Sequence, residues 1–74
     1  MKVNKDSLSA IRSRSGFSIT KLATAAQITP SYLSNLEAGR RKVASPEVVA
    51  RLAQALDVPV MAIISDLAPE QIAG

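Results

Sequence analysis

The sequence predicts an all-α fold, a compact bundle of five short helices. Apolar residues recur at three- and four-residue spacing along the 74 residues, and helix breakers separate these stretches at near-regular intervals. No alternating run or hairpin signal competes with that pattern. A composition of 47% hydrophobic and 20% charged residues is that of a globular chain, and an aromatic share of 3% makes the expected core aliphatic. This length holds one small domain and no second.

The first helix is expected from Asn4 or Asp6 to Ser15, with Leu8 and Ile11 inward and Gly16 as its left-handed stop. The second begins at Ser18, a hydroxyl N-cap, and Phe17 before the cap is spaced to staple onto Leu22. Leu22, Ala23 and Ala26 form its inner stripe. The third repeats the device: Thr29 caps, Pro30 takes the first helical position, Ile28 can staple to Leu33, and Gly39 ends the helix. A fourth starts at Ser45-Pro46-Glu47 and buries Val48 or Val49, Leu52, Ala53 and Leu56. Val60 to about Leu67 makes the fifth, with Ile63 and Ile64 inward, before Pro69. The domain is expected over residues 1–68, with 69–74 a short tail.

The chain has no Cys and no His, which excludes disulfides, the common zinc sites, and Ser-His or Cys-His catalysis. No carboxylate pair or phosphate-cradling glycine loop is present, so neither an enzyme nor a metal or other cofactor is expected. The start is polar and the longest apolar stretch, Val58 to Ile64, is far short of the roughly 20 residues of a membrane span. A cytoplasmic protein is the expectation.

The formal charge of +3 is unevenly placed. Residues 1–45 carry eight bases and two acids, a net +6, whereas residues 46–74 carry one base and four acids, a net −3. One half suits a polyanion and the other does not.

Two short capped helices joined by three or four residues are the arrangement of a helix-turn-helix unit. Its second helix, about Pro30 to Ala38, must then show a polar outer face. With Ser31 set at about 0° and about 100° per residue, Asn35 falls near about 40°, Ala38 near about −20° and Ser34 near about −60°. Leu36 and Leu33 fall on the opposite side and Tyr32 on the flank. Alone, such a face is an ordinary solvated one. Behind a capped, stapled helix it reads as a surface for base edges, with Asn able to bond adenine in a bidentate way.

At the residues Ile28-Thr29-Pro30-Ser31-Tyr32-Leu33-Ser34-Asn35-Leu36-Glu37-Ala38-Gly39-Arg40-Arg41, with Ile11-Arg12, Ser15 to Ser18, Leu22-Ala23 and Leu52 to Leu56, the sequence resembles the lambda-repressor and Cro family of helix-turn-helix regulators. The resemblance covers residues 7–66. It implies base contacts from Ser31 and Asn35, joined here by Ser34 from the same face and Tyr32 from its flank. It also implies a phosphate contact at Ser18, and around the reading helix Lys21, Thr29, Arg40, Arg41 and Lys42 are placed to clamp the backbone. Arg12 and Glu37 correspond to the family's internal ion pair. Three departures stand out: Ile19 replaces the usual Gln, Gln27 replaces the usual Gly in the turn, and the loop from Arg41 to Ser45 is one residue longer than common.

The function that follows is a sequence-specific regulator on double-stranded DNA, most simply a phage-type repressor. A palindromic operator and a homodimer, formed in solution or only on DNA, are the usual companions. No membrane or small-molecule partner is expected. The alternative of the same fold is an antitoxin, binding a protein toxin as well as its own promoter. Lys2 and Lys5 suit either a flexible arm over DNA or a frayed terminus.

Overall fold

The computed structural model describes residues 1–65. It contains four α-helices: α1 (Lys5–Arg14), α2 (Ile19–Ala26), α3 (Pro30–Ala38) and α4 (Pro46–Leu56). A single 3-10 turn, Val60–Ala62, follows.

Each helix starts on a side-chain cap that accepts a bond from the amide three residues on. Asn4 accepts from Ser7, Ser18 from Lys21, Thr29 from Tyr32 and Ser45 from Val48, at 3.0 to 3.2 Å. Pro30 and Pro46 occupy first-turn positions of α3 and α4, where a missing N–H is no loss. Each helix also ends through a left-handed residue: Gly16, Gln27, Gly39 and Asp57. Gln27, at φ 61°, therefore adopts the conformation that the turn requires of the glycine it replaces.

The core is aliphatic. Leu8 of α1, Leu22 of α2, Leu33 of α3, and Val49 and Leu52 of α4 are fully buried. Val49 rather than Val48 faces inward. α2 packs against both α4 and α3, and α1 against α3. Among the described residues no charged or polar residue is fully buried, and no buried side-chain polar atom lacks a partner. Arg51 of α4 ties the layers at one edge, bonding Glu47 of its own helix at 2.6 Å and the Ala26 carbonyl at the end of α2 at 3.4 Å.

The fifth helix is the main correction. After the 3-10 turn the chain extends, and Val3 and Ile64 form an antiparallel bridge. The Asn4 amide donates to the Ile63 carbonyl and the Ser65 amide to the Lys2 carbonyl, each at 2.9 Å. Ile63 is fully buried as it closes the 3-10 turn, so its apolar side chain is satisfied without a helix, and β-branched Ile64 suits the bridge with Val3. Met61, in the 3-10 turn, is 62% exposed. Leu67 and the tail 69–74 lie outside the described residues.

The same bridge removes the free arm. On its other side residues 1–3 pair with the loop before α4: Val3 donates to the Lys42 carbonyl, and Met1 and Ala44 exchange bonds through amine, amide and carbonyls at 2.8 to 2.9 Å. Lys2 and Val43 form the second bridge. Residues 1–3 are therefore clasped on both edges, and the end of α3 is held close to the start of the chain.

Candidate nucleic-acid interface

α2 and α3 are joined by Gln27, Ile28 and Thr29. The Ile28 amide donates to the Ala23 carbonyl at 2.9 Å, which closes α2 while the left-handed Gln27 turns the chain toward the Thr29 cap. Ile28 packs on the core, and Leu33 and Leu36 lie beneath α3. The opposite face of α3 carries Ser31 and Ala38 exposed, with Ser34 and Asn35 half-buried beside them. Tyr32 is half-buried on the flank.

The basic residues after α3 are ordered by contacts with that helix. The Arg40 Nε donates to the Asn35 Oδ1 at 2.9 Å, and the Arg41 amide donates to the Asn35 carbonyl at 3.1 Å. The Arg41 guanidinium stacks over the Tyr32 ring, 4.7 Å from its centroid, a cation–π geometry that fixes both groups. Lys42 is exposed while its carbonyl accepts from Val3. Lys21 is exposed on the first turn of α2. The Ser18 and Thr29 hydroxyls accept from backbone amides as caps and keep their own O–H to donate outward.

Arg12 and Glu37 are turned away from this face. The Arg12 Nε and Nη2 donate to the two carboxylate oxygens of Glu37 at 2.6 and 3.0 Å, and Nη1 donates to the Phe17 carbonyl at 2.8 Å. The Glu37 side chain is 8% exposed and that of Arg12 17%. The fork fastens α3 to the end of α1 and to the entry of α2.

A protein-family model described as a helix-turn-helix domain matches residues 6–62. The chain belongs to that family. Among solved structures this helix-turn-helix domain is similar to the clp gene regulator ClgR from C. glutamicum, at 37% identity and TM-score 0.69, over 77% of this chain and 73% of that one. It is similar to the restriction-modification controller protein C.AhdI from Aeromonas hydrophila, at 31% identity and TM-score 0.74, over 78% and 86%. It is also similar to SinR, the master regulator for biofilm formation, solved in complex with DNA, at 27% identity and TM-score 0.77, over 80% and 97%. None of the curated proteins matches. The likenesses place the helix-turn-helix among Cro-like and lambda-repressor-like regulators.

Two relationships at this face carry no local signal in the sequence. Arg40 reaches Asn35 across the left-handed Gly39, and Arg41 reaches back nine positions to Tyr32. Neither follows a helical spacing, because the turn at Gly39 reverses the chain first. The run Arg40-Arg41-Lys42 signals charge and leaves open which base packs where.

Proposed function

We propose that this chain is a sequence-specific double-stranded DNA-binding transcriptional regulator that lays α3 in the major groove. The observation that carries the reading is the opposition of the two faces of α3, leucines beneath and short polar residues above, on a helix fastened behind a capped partner in a regulator family. Ser31, Ser34, Asn35 and Tyr32 are the residues for base edges. Ser18, Thr29, Lys21, Arg40, Arg41 and Lys42 are those for phosphates, with the free amides at the starts of α2 and α3 adding partial positive charge.

The operation is binding, with no catalytic step and no cofactor. Residues 1–68 would form the DNA-binding domain and 69–74 a tail. A palindromic site would bring two copies together with their α3 helices about 34 Å apart, and such a regulator works in the cytoplasm. Among the described residues no helix is long and apolar enough to cross a membrane. The likeness to ClgR, C.AhdI and SinR, a gene regulator, a controller protein and a master regulator, favours this function over an antitoxin.

Selection from a randomised duplex pool tests it. A defined operator is expected, and Asn35→Ala should lose sequence preference at the base pair it reads while keeping weak, salt-sensitive binding. Enrichment of no sequence, or an Asn35→Ala protein with full specificity, would contradict it.

A further inference from the structure

Asn35 is the residue of the reading face with the richest hydrogen-bonding repertoire, and its amide is already oriented. The Arg40 Nε–H is a donor only, so the Asn35 atom facing it at 2.9 Å is the carbonyl oxygen. The bond is exposed on a residue that is half-buried overall, and the Arg41 amide, donating to the Asn35 backbone carbonyl at 3.1 Å, holds Arg40 and the end of α3 together. We infer that Arg40 is a positioning residue that locks the Asn35 amide with its oxygen toward the guanidinium, so that the pair reads guanine rather than adenine.

The inference rests on the DNA-binding function proposed above and deepens it. An unpaired Asn reads adenine by accepting from the N6 amino group while donating to N7. Here one lone pair of that oxygen is taken by the Arg40 guanidinium, and the positive charge beside it disfavours the amino group of adenine as a second donor on the other lone pair. The Asn35 Nδ2 hydrogens remain, and no described residue uses the terminal Nη1 and Nη2 groups of Arg40. What the pair offers the groove is therefore a set of donors. Guanine presents two acceptors, N7 and O6, on its major-groove edge, whereas adenine presents one acceptor and one donor. Arg40 thus acts on base choice through Asn35 as well as through its own charge.

The test compares selected operators for the parent chain, Asn35→Ala, Arg40→Ala and Arg40→Lys, with thermal melts to verify that each is folded. Asn35→Ala should erase the preference at one base pair of each half-site. At that pair the parent should select guanine, Arg40→Ala should move the preference to adenine, and Arg40→Lys, which keeps a cationic donor, should retain guanine. The discrimination should be about fivefold or more in each case. A simple phosphate contact by Arg40 would lower affinity for all sequences alike and leave base choice unmoved. Guanine retained in Arg40→Ala, or adenine selected by the parent, would overturn this inference and leave the DNA-binding function standing. Failure of any operator to emerge would overturn both.

Discussion

Arg12 and Glu37 meet as a two-bond fork between the last turn of α1 and the last turn of α3, and the remaining guanidinium bond closes on the Phe17 carbonyl. Three segments distant in sequence are pinned by one side chain. The geometry uses the planarity of Arg, which a lysine lacks. Because the pair is largely covered, removing one member leaves the other charge without its counter-ion and with little water to replace it.

Glu37→Ala is therefore expected to destabilise the fold by about 3 kcal/mol, at the lower end of the range for buried pairs because Arg12 retains some contact with water. Arg12→Lys should recover part of that loss relative to Arg12→Ala. Replacing both members by apolar residues should be milder than either single removal. Urea unfolding of the four variants measures this, and a Glu37→Ala loss below about 1 kcal/mol would show that the fork contributes little.

Gln27 ends α2 at φ 61°, where a residue with a Cβ carries about 1–2 kcal/mol of strain. Gln27→Gly relieves it, and the greater freedom of glycine in the unfolded chain offsets part of the gain. The net expectation is a stabilisation of about 0.5–1 kcal/mol and a rise in Tm of about 4 °C. Asp57, at φ 59° after α4, should gain less from the same change because Asp tolerates this conformation better. Equal or lower Tm for Gln27→Gly would mean that the Gln27 side chain contributes more than its strain removes.

How much of this was legible in the sequence follows from the range of the interactions involved. Ser18, Thr29, Ser45 and the prolines act within one turn of themselves, so the starts of α2, α3 and α4 stand in the linear order of residues. The inward leucines of α3 follow from a single helical period. The segment Val60 to Ile64 reads as an α-helix because apolar spacing over so few residues does not distinguish one from a 3-10 turn that runs into a bridge residue. What decides there is pairing with Val3, some sixty residues away and invisible to any local pattern. The bonds of Arg40 to Asn35 and Arg41 to Tyr32 were hidden for a related reason, since both depend on the path that the chain takes after Gly39.

That long-range pairing is itself testable. The Val3 amide donates to the Lys42 carbonyl at 2.9 Å, and its side chain is buried against the core. Val3→Pro removes the donor and should cost about 1–3 kcal/mol by leaving the carbonyl unpaired. Hydrogen exchange should then show faster exchange at Asn4, Ala44 and Ser65, whose amides complete the same clasp. Unchanged protection at Ala44 and Ser65 would mean that the two edges hold without the first residues.

The last prediction concerns the phosphate clamp. If Arg41 meets the DNA backbone, Arg41→Ala should flatten the dependence of log K on log salt by about 0.9, the value of one neutralised phosphate. The stack adds a second expectation, because Tyr32 holds the guanidinium in place. Tyr32→Phe keeps the ring face and should preserve the parent slope, losing only what its hydroxyl contributes to binding. Tyr32→Ala frees Arg41 to move among many rotamers, so affinity should fall while the charge, and with it most of the slope, remains. In the double variant the Tyr32→Ala loss should shrink, since there is no longer a guanidinium to position. Strictly additive losses, measured by titrating operator DNA at several salt concentrations, would show that the stack orders Arg41 in the free protein without bearing on DNA.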